Sequence, residues 1–416
     1  MYDDHDKLTR GLMRSLAELG AGDGPLPIIV RYSSRPRVMR GNPHPVPGLR
    51  ERYLFRLLPF AALQATPEVI ARLEADPRVL RIFQDLPVRA LLDTSIPQIG
   101  VPRLWAEGLT GEGIKIGIVD SGVDASHPDL QGRIADVTDL TGEGLDDKHG
   151  HGTHVSSVAA GSGAASAGRY RGAAPQATLY SAKVLRANGE GMMSDVMAGI
   201  EWAVAQRVQV ISLSLGGTGP CDGTDALCET CDAAVDAGVV LCVAAGNDGP
   251  DPYSVGSPGC ARKVITIGAV NDQDRIPDFS ARGPTADGRA KPDLLLPGVD
   301  IVAARASGTS MGTVMDQYYT SVTGTSMATP LAAGVCALLL QAEPQLQPAE
   351  IKARLMGTAV GLGADQNTQG AGRVDAWRAR HDVAQPTPTP EPAPSPVPGR
   401  GCLVAVSRML FFLRRS

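Results

Sequence analysis

Gly324-Thr325-Ser326-Met327-Ala328-Thr329-Pro330 runs without a break into Leu331-Ala332-Ala333-Gly334-Val335-Cys336-Ala337-Leu338-Leu339-Leu340. The second half reads as a buried helix, and the first half puts a serine at its mouth behind a flexible glycine. Unpaired N–H groups and the positive dipole end at such a position favour a developing anion. Ser326 is therefore a candidate nucleophile, while capping of a core helix by Ser326 or Thr325 is the plainer reading of the same residues. A serine becomes reactive only beside a separately placed base. The surrounding chain has to supply one.

Working outward, residues 114–119, 178–185, 208–215, 239–245 and 264–270 are mostly apolar runs suited to strands buried on both faces. Between them, residues 195–206 and 225–237 have helical spacing. The expected architecture is α/β, a parallel sheet flanked by helices, over residues 93–384. An N-terminal extension covers 1–24, and 25–92 reads as a small α+β module. Its expected strands lie at 27–32, 52–58 and 79–83, with a helix from Thr66-Pro67 carrying proline in its first turn. Alternating proline over 385–399 predicts an extended linker. The tail, 400–416, is apolar with a basic end, suited to a membrane surface, to a docking partner, or to fraying.

Hydrophobic residues make up 43% and charged residues 20% of the 416, which predicts a sizeable core. A net charge of -5 excludes the basic face of a nucleic-acid binder. No apolar stretch approaches the roughly 18 residues of a transmembrane span. The start, with Asp3, Asp4, His5, Asp6 and Lys7, lacks a secretory pattern. Seven cysteines leave at least one thiol unpaired.

Three further segments bear on Ser326. Asp120 ends the apolar run 116–119, where a parallel strand delivers side chains to the loops and an acid can orient an imidazole; an ordinary turn before Gly122 is the alternative. Three of the seven histidines fall in His149-Gly150-His151-Gly152-Thr153-His154, a spacing unlike a metal site. His151, between glycines, suits a general base. His154 suits the core, and His149 a solvated loop. Asn247, in Ala245-Gly246-Asn247-Asp248-Gly249-Pro250, marks a turn or offers a side-chain amide to an oxyanion.

Together, Val119-Asp120-Ser121-Gly122, His151-Gly152-Thr153-His154-Val155, Ala245-Gly246-Asn247 and Gly324-Thr325-Ser326-Met327-Ala328-Thr329-Pro330 resemble the subtilisin-like serine proteases, with the acid, histidine and serine in that family's order. The resemblance covers roughly 97–384 and takes in Ser212-Leu213-Ser214-Leu215-Gly216-Gly217 and Phe279-Ser280-Ala281-Arg282-Gly283-Pro284-Thr285. It implies Ser326 as nucleophile, His151 as base, Asp120 as orienting acid, and an oxyanion hole from Asn247 and the Ser326 N–H. It implies polypeptide substrates held as an added strand between Gly189-Glu190-Gly191 and Ser214-Leu215-Gly216, with Gly256 leaving room for an apolar side chain and Asp248 at the rim able to admit a basic one. The module at 25–92 is similar to the family's ferredoxin-like inhibitor propeptide, with the cut expected within Ala90-Leu91-Leu92-Asp93-Thr94. The chain itself would then be the first partner of its own cleft, and the enzyme a monomer.

The chemistry so implied requires no cofactor. Residues 161–168, where many relatives hold calcium, offer no carboxylate or asparagine, so structural calcium is not supported there. Asp136, Asp139, Glu143, Asp146 and Asp147 form either a second calcium ligand set or a solvated acidic loop. The resemblance favours a disulfide among Cys221, Cys228 and Cys231, or with Cys260, over a zinc site, and Cys242 and Cys336 read as core thiols. An esterase would need G-x-S-x-G, and Ala328 replaces the second glycine. The competing function is a catalytically latent peptide-binding module of the same fold. Location stays open: extracellular or cell-surface if the true start carries a signal, cytoplasmic if this sequence is complete.

Overall fold

The computed structural model describes residues 7, 8, 16, 24–34, 47–54, 60–84 and 92–382. The chain divides into two compact units, Met1–Arg89 and Ala90–Ser416, each described here by itself. The linker and tail predicted over 385–416 lie outside the described residues, as do Ala90 and Leu91 of the expected cut.

In the first unit, β1 (Leu26–Tyr32), β2 (Leu49–Leu54), β3 (Phe60–Ala65), α1 (Pro67–Ala75) and β4 (Val79–Gln84) build an antiparallel sheet of order β2-β3-β1-β4. The alternation of β1 turns Ile28 and Val30 to one face, where they meet Ala61, Leu63 and Ile82 together with Val69 and Ile70 of α1. The strand expected over 52–58 lies at Leu49–Leu54, with 55–59 outside the described residues. The sequence did not reveal β3: its alanines have weak strand preference, and pairing on both sides decides its state.

The second unit contains α2 (Leu92–Gln98), α3 (Val101–Ala106), β5 (Lys115–Asp120), β6 (Ile134–Asp139), α4 (His151–Ala160), β7 (Thr178–Lys183), α5 (Met193–Ala205), β8 (Val210–Leu213), α6 (Ala226–Asp236), β9 (Val240–Ala244), β10 (Ile265–Val270) and β11 (Leu294–Pro297). After these come β12 (Ile301–Ala304), β13 (Thr313–Val314), β14 (Tyr319–Val322), α7 (Thr325–Ala342), α8 (Pro348–Gly357), α9 (Gln366–Gln369) and α10 (Ala376–His381). Seven strands form a parallel sheet of order β11-β10-β9-β8-β5-β7-β6. The chain winds one way from β5 to β7 and the other way from β8 to β11. The crevice at this reversal opens at the carboxyl ends of β5 and β8, which is where open parallel sheets gather their sites.

Helix α7 packs on β8, β9, β10 and β11 and against α4. Leu331, Val335, Leu338 and Leu339 are fully buried, each contributing about 1.5–3 kcal/mol of apolar transfer. The expectation that no segment approaches membrane-span length needs correction. Among the described residues α7, at 18 residues, is long and apolar enough, but 83% of it is buried inside the protein. It passes the test because it is the core helix of the unit.

Candidate active site

Asp120 is the last residue of β5 and is fully buried. Its Oδ1 accepts from the Ser121 N–H at 2.7 Å and from His151 Nδ1 at 2.8 Å. A carboxylate can only accept here, so Nδ1 carries the proton and Nε2 is left as the basic nitrogen. His151 opens α4, and the close approach depends on its neighbour: a Cβ on Gly152 would lie 2.0 Å from the Gly122 carbonyl oxygen. Only glycine lets the helix start abut the turn after β5.

Beneath this pair lies Asp147, a buried carboxylate that sequence reading placed in an acidic loop. Its Oδ1 accepts from Ser121 Oγ at 2.9 Å, the His149 N–H at 3.2 Å and the Gly150 N–H at 2.8 Å. Its Oδ2 accepts from the Thr153 N–H at 2.8 Å and Thr153 Oγ1 at 2.6 Å. The Gly152 N–H in turn donates to Ser121 Oγ at 2.9 Å. One side chain thus ties the turn carrying Asp120 to the turn carrying His151. Burial pushes the His151 imidazole down, but the charge and hydrogen bond of Asp120, with a further contribution from Asp147, more than offset it and leave the pKa raised.

Ser326 is the second residue of α7. Pro330 has no N–H to give the carbonyl four residues back, and the Ser326 carbonyl accepts instead from Ser214 Oγ at 2.9 Å. Ser326 Oγ returns a bond to the Ser214 carbonyl at 3.0 Å. The helix mouth is therefore fastened to the end of β8 by a reciprocal pair, and in this conformation the hydroxyl points to Ser214 rather than bonding to His151. Asn247 follows β9. Its Oδ1 accepts from the Thr325 N–H at 2.9 Å and Thr325 Oγ1 at 3.0 Å, which fixes the amide and leaves Nδ2 on the side of Gly324 at the helix mouth. Thr325 acts by aiming that amide.

His151, Asn247, Thr325 and Ser326 border a cleft of about 850 Å³ that also includes Gly189, Glu190, Gly191, Ser214, Leu215, Gly216, Asp248 and Gly256, with Asp120 buried behind His151. Two details differ from expectation. The Cβ missing from Gly256 would meet the Gly217 carbonyl oxygen at 2.0 Å, so glycine there serves the close approach of two backbones. His149, expected in a solvated loop, lines the cleft, with its ring 6.1 Å from that of His151 and packed under Gly189. His154 is a core residue as expected: its Nε2 meets the Ile301 carbonyl at 3.0 Å and burial pushes its pKa to about 3.

The match to the Subtilase family spans residues 111–372, and with it the strand ends and helix starts that hold Asp120, His151, Asn247 and Ser326. The chain belongs to the subtilase family. It is 38% identical over 351 residues to serine protease AprX of Bacillus subtilis (strain 168), covering 77% of this chain and 79% of that protein. It is 35% identical over 316 residues to subtilisin E of the same organism, covering 74% and 77%. A cold-adapted subtilisin-like serine proteinase of known crystal structure has a TM-score of 0.52 at 30% identity, over 64% of this chain and 88% of that one. The protein is a subtilisin-like serine endopeptidase, a hydrolase that needs no cofactor for catalysis.

Other groups singled out in the sequence fall around this frame. Asp139 accepts from Thr141 and the Gly144 N–H, and Glu143 from the Ala187 N–H, so these acids brace loops. Both oxygens of Asp129 are engaged where the 161–168 loop packs, by the Ala165 N–H at 2.9 Å and Tyr319 Oη at 2.8 Å. Cys221 is disulfide-bonded to Cys260, while Cys228, Cys231, Cys242 and Cys336 are free and buried.

Proposed function

We propose that Ser326 attacks the scissile carbonyl of a polypeptide and forms an acyl-enzyme. In this mechanism His151 Nε2 takes the hydroxyl proton and later delivers it to the leaving amine. Asp120 holds the imidazole by Nδ1 and stabilises the imidazolium. The Ser326 N–H and Asn247 Nδ2 receive the oxyanion. The observation that carries the reading is the convergence of an Asp–His pair, a helix-mouth serine and an aimed amide on one cleft at the reversal of the sheet. Before attack, Ser326 Oγ leaves the Ser214 carbonyl and swings to His151, a small rotation consistent with looser geometry in a substrate-free site.

Substrate lies as an added strand between 189–191 and 214–216. The N–H and C=O of Glu190 are engaged within its own turn, by Asn188 Oδ1 and the Arg186 N–H, and the Gly189 N–H by the Arg186 carbonyl, so Gly191 and the Gly189 carbonyl supply the pairing groups. Leu215, Met192 and Leu227 on the cleft favour broad, mainly apolar specificity. The first unit acts as an inhibitory propeptide removed by self-cleavage near Leu91 or Leu92, the apolar residues such a pocket accepts. Calcium is not assigned to the 161–168 loop, which offers no carboxylate or asparagine of its own and whose neighbour Asp129 binds the Ala165 N–H and Tyr319 Oη.

The test compares unsubstituted chain with Ser326→Ala for intact mass, mature amino terminus and casein hydrolysis. Ser326→Ala is expected to stay full length and inactive. Equal processing and equal hydrolysis in both would overturn the mechanism. Labelling of Ser326 by an active-site phosphonate separates an enzyme from a latent peptide-binding module, which would not react.

A further inference from the structure

The loop ahead of α6 and the turn carrying Cys260 bring together groups that catalysis does not use. Ligand atoms of Cys221, Asp225, Cys228 and Cys260 all lie within 4.8 Å of one another. Cys228 Sγ is 3.5 Å from Cys260 Sγ and 3.9 Å from Cys221 Sγ, and Cys221 Sγ is 3.5 Å from Asp225 Oδ2. A tetrahedral zinc ion with bonds of about 2.3 Å places its sulfurs about 3.8 Å apart, close to the two sulfur spacings from Cys228; Cys221 and Cys260, bonded to each other in the structure, must part to that distance on reduction. We propose that, when the Cys221–Cys260 bond is reduced, Cys221, Cys228, Cys260 and Asp225 bind one zinc ion as a structural site beneath the cleft wall.

Asp225 is built for this. Its Oδ1 is fixed by the Leu227 N–H at 3.0 Å, the Cys228 N–H at 2.9 Å and Ser257 Oγ at 3.0 Å, which leaves Oδ2 turned to the sulfurs. In the disulfide, Cys221 has no S–H to offer that oxygen. Such outer contacts are what orient a ligating carboxylate. Three thiolates and a carboxylate around Zn²⁺ carry a net charge of two minus. The first turn of α6, which holds Cys228, opposes that charge, as does Arg289, whose guanidinium donates to the Cys260 carbonyl at 2.8 Å and the Asp222 carbonyl at 2.9 Å. Thiolate ligands select zinc over calcium or magnesium. The other close pair, Cys242 and Cys336 at 3.9 Å, has no third ligand among the described residues.

The chemistry balances in two steps. Two equivalents of a thiol reductant convert the disulfide into two cysteine thiols and one reductant disulfide. Zn²⁺ then displaces three thiol protons to solvent. Leu227 and Ser257 border the cleft, and the Gly217 N–H donates to the Ser257 carbonyl at 2.8 Å, so the ion would stiffen that wall.

The test uses the full chain carrying Ser326→Ala to prevent self-digestion, purified under thiol reductant. Zinc is counted by elemental analysis and free thiols by mass after alkylation. One zinc per chain is expected. Cys228→Ser or Cys260→Ser should bind about 100-fold more weakly, whereas Cys231→Ser and Cys336→Ser should keep full occupancy. Should the cluster variants fail to fold, cobalt(II) added to the reduced, metal-stripped chain with its cysteines intact should give thiolate charge-transfer and tetrahedral absorption that zinc abolishes. A disulfide that resists reduction in the folded chain, three free thiols that take up less than about 0.1 equivalent of either metal, or zinc retained in both cluster variants would each overturn the proposal.

Discussion

Replacing Asp147 by asparagine probes how the site is held rather than what it does. Asp147 accepts five hydrogen bonds, three on Oδ1 and two on Oδ2. Asparagine keeps one oxygen. If it faces Ser121 and Gly150, the new NH₂ meets the Thr153 N–H, donor against donor; Thr153 Oγ1, which already accepts from the Asp124 N–H at 2.9 Å, loses the acceptor for its own proton and has only its second lone pair to offer the NH₂. Two bonds to a charged acceptor are lost at about 1.5–3 kcal/mol each, with the Thr153 N–H left buried and unpaired. Allowing for relaxation, a loss of about 3–4 kcal/mol is expected, or roughly 5–7 °C in Tm at about 2.1 cal/mol/K per residue over a unit of roughly 290 residues. Calorimetry of Asp147→Asn in the Ser326→Ala background measures it. Removing the Asp147 charge also removes an influence that raises His151, so in the active enzyme the acid limb of kcat/KM should move to lower pH. A stability change under about 1 kcal/mol together with an unmoved limb would refute the role assigned to Asp147.

Asn247→Ala should lower kcat about 10²–10³-fold and, by removing the acceptor of the buried Thr325 N–H and Oγ1, cost about 1–3 kcal/mol of stability; full turnover would remove it from the oxyanion hole. In the unsubstituted enzyme, protonated His151 cannot take the serine proton and its pKa is raised, so kcat/KM should begin to fall at a pH above the ordinary imidazole value; a limb below that value would contradict the Asp120 pairing. Gly256→Ala, forced against the Gly217 carbonyl, should cost about 1–3 kcal/mol of stability and raise KM for peptides, and normal KM and Tm would show that the backbones need not touch. Asp293→Ala leaves buried Lys291 and its neighbour Lys352 without their shared partner and should destabilise by about 3–5 kcal/mol. Burial raises the Asp293 carboxyl, but both lysines more than offset this and hold it low. Its stabilisation is therefore present above the ordinary carboxylate range and lost as pH falls through the lowered value, which acid titration of Tm would detect.

Sequence alone determined what local chemistry can encode. The buried runs over β5, β7, β8, β9 and β10 specify a parallel sheet because strands covered on both faces have no polar side. Four short motifs point to Asp120, His151, Asn247 and Ser326 as the proposed acid, base, amide and nucleophile. Less was legible in β3, β6 and β11, where short or mixed segments take their state from their neighbours. Tertiary structure decided the rest, because the deciding distances join residues remote in the chain. Asp147 looks like a loop acid until Ser121, Gly150 and Thr153 surround it. Thr325 looks like a cap until its hydroxyl and N–H are found aiming Asn247, and Pro330 looks like a helix defect until Ser214 takes up the carbonyl it frees. Cys221 and Cys260, read among the disulfide partners, are bonded in the structure, and only the fold shows that Cys228 and Asp225 lie beside them. A sequence names side chains in order, but hydrogen bonds and metal sites depend on separations of about 3 Å, which only packing can set.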